Sequence, residues 1–109
     1  MLDAKEALID AGTTMNEADL IGGGARSPLW AQILADVLGI PLHQVAESDM
    51  GCALGAARLA RMAAGDSIAV ARPAHRLRSF DPRPAQVALH RERHVHWQRL
   101  YPMARDFAR

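Results

Sequence analysis

Residues 19–39, DLIGGGARSPLWAQILADVLG, constrain the fold more than any other part of the chain. A short apolar run enters three consecutive glycines, and a helical pattern leaves them. Ser27-Pro28 is a helix start. A serine oxygen can accept from an orphan N–H of the first turn, and proline suits the first helical position because its missing N–H would find no partner there. Leu29, Ile33 and Val37 recur every four residues, with Trp30, Leu34 and Leu38 alongside, so the helix carries one broad apolar stripe. Gly39 ends it and Pro41 blocks its continuation. IPLHQVA then reads as a second short strand. A strand–helix–strand unit of this length implies parallel strands joined by a right-handed crossover.

The flanking segments extend this α/β pattern. Residues 2–12 read as a helix stopped by Gly12. Ser48 or Asp49 is placed to cap another helix, from Gly51 to about Ala64, whose face is made of glycine and alanine. Such a face suits close packing of a helix on a sheet. Residues 66–84 read as irregular, broken by Pro73, Pro82 and Pro84. A long helix is predicted from Ala85, with Pro102 kinking or splitting it. The predicted layout is therefore one domain in two stretches, 1–68 and 69–109. With only two strands predicted the sheet is meagre, since three or more are usually needed for independent stability. This shortage suggests a chain that is part of a larger domain.

Charge is divided unevenly. Four basic and nine acidic residues leave 1–68 at −5, while nine basic and three acidic residues leave 69–109 at +6. The basic stretch invites a phosphate-binding reading, but one solvated helix face explains it more simply. Arg72, Arg76, Arg78 and Arg83 lack the interleaved aromatics of a nucleic-acid surface, so no nucleic-acid partner is expected. Cys52 stands alone, which excludes an internal disulfide and suits a reducing compartment. The N-terminus has no secretory pattern and no run is long enough to span a membrane, so the expected location is cytoplasmic.

The glycines themselves leave two readings open. At the end of a strand they permit positive φ and remove Cβ atoms, so a flat ligand can lie on the backbone. The helix opening at Pro28 directs its positive dipole end to the same place. A ligand-free turn uses the same residues. The known phosphate loops do not match: no G-x-x-x-x-G-K-[ST] is present, and G-x-G-x-x-G fails at Ser27 and Pro28.

The wider wording is more specific. LIGGGARSPLWAQILADVLGIPL followed by GCALGAARLARMAAG resembles the C-terminal domain of the FGGY carbohydrate kinases. Within that family the run is most similar to the xylulokinase branch, and gluconate kinases share its A-R-S-x-x-W part. The resemblance is strong over 19–65 and weaker to the end, where WQRLYPMAR is similar to the family's final helix. It implies part of an actin-like ATPase (ribonuclease H-like) C-terminal domain, with short parallel strands, packed helices and a C-terminal helix. It also implies that the turn is the family's adenosine motif. Gly23, Gly24 and Ala25 would form the backbone platform for ATP, with Ser27 and Pro28 near the adenine edge and Gly24 foremost. Arg26 has no implied role beyond a surface arginine. Gln32 and Asp36, four apart, imply a structural hydrogen bond. Gly55, Ala56 and Ala57 imply close packing behind the turn.

The same resemblance implies what this chain would lack. The family's proton-accepting aspartate, its N-terminal phosphate-binding elements and most sugar contacts lie in a first domain that nothing here matches. ATP with Mg would then be used only by an intact enzyme, Mg would not be bound by this chain, and the sugar would be met only through an N-terminal domain. The expectation is an inactive C-terminal segment of a kinase acting on a ketose such as D-xylulose. The rival readings are a non-catalytic remnant or standalone module that meets another copy of itself or a complementary kinase half, and a segment of another kinase of the family such as a gluconate kinase.

Other candidates are weaker. His90 and His94 are four apart, with His96 nearby, a spacing that suits a metal ion. The sequence offers no suitably placed carboxylate, so exposed helix histidines are the expectation. Cys52 in a helix's first turn is expected to be a small, partly buried residue rather than a reactive thiol. Glu47 and Asp49 are expected to be loop and cap residues.

Overall fold

The computed structural model describes residues 1–107. The elements run α1 (Leu2–Asp10), β1 (Ala18–Leu20), α2 (Pro28–Leu38), β2 (Leu42–Val45), α3 (Gly51–Ala63), β3 (Arg76–Phe80), α4 (Pro84–Gln98) and α5 (Leu100–Phe107). The sheet has the order β1-β2-β3. β1 pairs with β2 in parallel, Ala18 opposite Leu42, and β2 pairs with β3 in antiparallel fashion, Leu42 opposite Phe80.

The expected strand–helix–strand unit is present, with α2 built as its ends dictate. Ser27 Oγ accepts from the Trp30 N–H at 3.2 Å, and Pro28 occupies the first helical position. Gly39 closes the helix at φ 64°, and its backbone N–H bonds to the Ala35 carbonyl. Gly39 also lacks a Cβ where one would stand 3.3 Å from Val87 Cγ1, so the same residue that ends α2 lets α4 pack close.

The first strand, Ala18–Leu20, runs into the glycine turn, where Gly22 at φ 87° takes the backbone out of the extended region. Two expectations need correction. The stretch 66–84 is not wholly irregular: Arg76–Phe80 forms β3, which supplies the third strand from within the chain. Only Phe80 of that strand is buried, so it shows no alternating apolar signal. The buried face of α2 is Ala31, Leu34, Ala35 and Leu38, while Leu29 and Trp30 point outward. Pro102 does split the last helix, falling in the first turn of α5 where its missing N–H costs no ladder bond.

The core consists of Ala31, Leu34, Ala35, Leu38, Ile40, Leu42 and Phe80, with Met15, Ala18 and Leu20 packed against it. It is small, and the molecule is open. The radius of gyration is 17.8 Å, against about 13 Å for a compact domain near this length. Neither α1, α3, α4 nor α5 has a buried residue. The glycine–alanine face of α3 is packed only at its start, where Gly51 lies against Ile21; a Cβ on Gly55 would meet no atom within 4 Å, and Ala56 and Ala57 are exposed. The close packing implied for those three residues is therefore not made among the described residues.

Polar contacts hold what the core does not. On the sheet, His43 is buried between Ser79 Oγ at 2.8 Å and Glu17 Oε2 at 3.1 Å, while Arg76 pairs with Glu17 and Asp19. Arg78 lies over the Phe80 ring at 4.9 Å. In α2, Asp36 is only 1% exposed. It accepts from the Arg83 backbone N–H at 2.8 Å, from the Arg83 guanidinium at 2.6 and 3.1 Å, and from Gln32 Nε2 at 3.2 Å. Gln32 also donates to the Asp81 carbonyl at 2.9 Å. Burial alone would raise the Asp36 carboxyl; the Arg83 guanidinium and backbone N–H, with Gln32, outweigh it and hold the group below the usual carboxylate value.

Asp36→Ala is expected to destabilise the fold by about 2 kcal/mol, the scale of lost hydrogen bonds to a charged group, measured by urea unfolding. Because the folded carboxyl titrates below its unfolded value, its contribution is complete above the unfolded value near 3.8. It is lost as pH falls through the lower folded value. Unfolding midpoints measured downward from pH 7 should therefore fall more steeply below about pH 4 for the wild type than for Asp36→Asn.

Candidate functional site

The glycine turn sits at the C-terminal edge of β1, beside the matching edge of β2. Gly22 leaves the strand at φ 87°, a conformation that side chains of L-residues resist. Its N–H bonds to the Ser48 carbonyl at 2.7 Å, which ties the loop after β1 to the loop after β2. Gly23–Arg26 then form one 3-10 turn, closed by Ala25 N–H to the Gly22 carbonyl at 3.0 Å and Ser27 N–H to the Gly24 carbonyl at 3.2 Å. The turn delivers the chain to the N-terminus of α2.

The residues implied as a platform are placed differently from one another. Gly23 faces open space, with no atom within 4 Å of a would-be Cβ. Gly24 does not: a Cβ there would stand 3.3 Å from Trp30 Cδ1 and Nε1, so the indole accounts for the absence of a side chain. Ala25 is buried, backbone included, and its N–H is spent on the Gly22 carbonyl, so it holds the turn rather than offering a surface. Ser27 Oγ is engaged as the helix cap, and Pro28 is exposed. The open part of the turn is the backbone of Gly23 and Gly24, with Gly22 half-buried before them and the half-exposed Trp30 ring beside Gly24.

Arg26 has a partner that the sequence did not reveal. Its Nε donates to Asp49 Oδ1 at 2.9 Å and Oδ2 at 2.8 Å, and its Nη2 also meets Asp49. This fork braces the glycine turn against the segment before α3. The Arg26 guanidinium holds the Asp49 carboxyl below its ordinary value. Asp49 therefore does not cap α3; the residue before that helix is Met50, with no side-chain cap bond. Glu47 opens the segment at φ 57°. The only advance signal for Gly22 was its place as the first glycine after a strand. The Arg26–Asp49 pair, 23 residues apart, had none.

The remaining candidates also find places. Cys52 is exposed rather than partly buried. Arg76 and Arg83 are engaged by carboxylates, and Arg78 by Phe80. His94 meets Asp3 at 2.8 Å, so α1 brings the carboxylate that the sequence lacked near the histidines.

The mixed sheet, with a glycine turn at the ends of its parallel strands feeding a capped helix, is of the α/β class, and comparison with known proteins places it among actin-like ATPase domains. Residues 5–64 match the C-terminal domain of the FGGY family of carbohydrate kinases. The chain belongs to that family. It is 45% identical over 64 residues to the xylulose kinase of Escherichia coli K12, a match covering 59% of this chain and 13% of that protein. It is 36% identical over 95 residues to the autoinducer-2 kinase of Klebsiella pneumoniae, covering 84% of this chain and 18% of that protein. Its structure superposes on xylulose kinases from Brucella ovis and Rhodospirillum rubrum with TM-scores of 0.81 and 0.73, at 31% and 28% identity. Each superposition covers 96% of this chain and 22% of the other. The chain thus spans about a fifth or less of the length of these relatives. Among the described residues, no helix is long and apolar enough to cross a membrane.

Gly22→Ala is expected to destabilise the chain by about 1–2 kcal/mol, because it forces a side chain into the positive-φ region. Gly23→Ala, at a position with open space and no positive φ, should change the urea midpoint far less. Equal losses at the two positions would contradict this account of the turn.

Proposed function

We propose that the turn from Gly22 to Pro28 is the adenosine-holding edge of an ATP-dependent carbohydrate kinase. The observation that carries the reading is the exposed backbone at Gly23 and Gly24, held in place by the bond of Gly22 to the Ser48 carbonyl and by the Arg26–Asp49 pair beside the N-terminus of α2. A flat adenine ring suits a surface without Cβ atoms, and the helix N-terminus favours a polar ring edge. In this reading Gly23 and Gly24 contribute backbone, the buried Ala25 anchors the turn, Trp30 packs on Gly24, and Ser27 and Pro28 set the start of α2 near the adenine. The turn offers no carboxylate beyond Asp49, which is committed to Arg26, so Mg2+ accompanying the phosphates is assigned to other parts of the enzyme.

The phosphoryl acceptor belongs to the same proposal. The 45% identity with a xylulose kinase favours a ketose such as D-xylulose. A second reading has its own support: the match to autoinducer-2 kinases runs over 84% of the chain, past the region shared with the xylulose kinase. Both readings place acceptor selection outside these residues. Phosphoryl transfer is largely positioning and charge stabilisation. With between 13% and 22% of its relatives' length, the chain by itself is proposed to bind the nucleoside and transfer no phosphate.

Two measurements test this. ATP or adenosine titrated into labelled chain should shift the amide signals of Gly22, Gly23, Gly24 and Ser27 while ribose 5-phosphate does not; a folded sample with no shifts there would count against the site. Replacing the matching segment of Escherichia coli xylulose kinase with residues 5–64 should alter KM for ATP and leave KM for D-xylulose unchanged. A selective change in the sugar KM would overturn the division of labour.

A further inference from the structure

The histidines of α4 remain outside the kinase reading, and tertiary structure supplies what their sequence context lacked. Asp3 and Glu6, three apart in the first two turns of α1, share the helix face turned to α4. His94 and Gln98, four apart on α4, face them. His94 Nε2 lies 2.8 Å from Asp3 Oδ1, and His94 Nδ1 lies 3.9 Å from Glu6 Oε1. One donor atom from each of Asp3, Glu6 and His94 falls within 4.8 Å of the others. The imidazole is mostly buried, at 12% side-chain exposure, whereas the carboxylates reach solvent on one side. Gln98 Nε2 approaches Asp3 Oδ1 at 3.4 Å and Glu6 Oε2 at 3.5 Å, steadying both from behind. Lys5 Nζ, on the same helix, is bonded to the Leu38 carbonyl at 2.5 Å.

We propose that Asp3, Glu6 and His94 form a binding site for a divalent transition cation such as Zn2+, joining α1 to α4. One imidazole nitrogen and two carboxylate oxygens are a donor set of the kind this ion takes, with water completing four-coordination. Hard cations such as Mg2+ prefer oxygen alone, so the imidazole selects against them. Binding places the metal between His94 and the two carboxylates, with the imidazole neutral and its remaining proton on the ring nitrogen that does not ligate. The consequence is mechanical. α1 buries no residue of its own, and its contact with the helix 91 residues away rests on these polar groups. A metal ion converts that contact into a cross-link. The inference stands on this geometry alone and is independent of the nucleotide reading.

The test is a titration of the metal-free chain with ZnCl2, read by calorimetry, by thermal unfolding and by amide exchange. One ion per chain is expected. Near a hundredfold excess over Kd, the unfolding midpoint should rise by about 10 °C, with exchange slowed across Leu2–Asp10. Co2+ in place of Zn2+ should give the visible spectrum of a four-coordinate N/O site, and Mg2+ should give no rise. Asp3→Asn, Glu6→Gln and His94→Ala should each weaken Zn2+ binding at least about tenfold, while His75→Ala, His96→Ala and Cys52→Ser leave it unchanged. Asp3→Asn keeps shape and hydrogen bonding, so it decides the matter if His94→Ala does not fold. Unaltered Zn2+ affinity in folded Asp3→Asn and Glu6→Gln, or no saturable binding to the wild type, would overturn the site.

Discussion

The buried carboxylate of Asp36 is the interaction on which the rest of the fold depends. It sits in α2 with almost no exposure, and its partners are Arg83, from the link between β3 and α4, and Gln32, one turn earlier in α2. A buried charge without partners is costly, so this one strongly favours the arrangement that brings Arg83 and Gln32 to it. Asp81 and Arg83 are thereby fixed against α2, Phe80 is held over the core, and α4 starts where Gly39 lets it approach. In a chain with so small an apolar core, such a polar tie has more to do than in a larger domain.

The glycine turn depends on a second set of ties. Parallel strands end side by side, so the loops that follow β1 and β2 are neighbours. The bond from Gly22 to Ser48 and the Arg26–Asp49 fork fasten them into one surface. That surface is open, as are the small-residue face of α3 and the apolar side chains Leu29, Met50 and Leu59. A nucleoside laid on the turn would be covered on one side only, which fits a chain matching a small share of each relative's length.

Much of this was legible because the signals are local. Ser27-Pro28, Gly39 and Pro41 mark α2 through backbone chemistry within a few residues, and Pro102 divides the last helix for the same reason. The family was legible because the turn and the helix after it preserve a continuous run of wording. What escaped notice was non-local. β3 carries Arg76, Leu77, Arg78 and Ser79 in the open, and its strand character comes from hydrogen bonds to β2 some 35 residues away rather than from its own pattern. Asp49 looked like a cap because caps are local, yet Arg26 reaches it across two loops.

The sequence by itself determined the strand–turn–helix unit, its helix ends, the family and the small-residue face of α3, since each is written in neighbouring residues or in a preserved motif. Only the tertiary structure decided that Gly22 rather than Gly24 holds the positive φ. It alone decided that Trp30 packs on Gly24, that Asp36 gathers Arg83, and that α1 brings two carboxylates to His94. The physical reason is common to all of these. Backbone preference is set by a residue and its neighbours, whereas burial and charge pairing are properties of whatever the folded chain brings within a few ångströms.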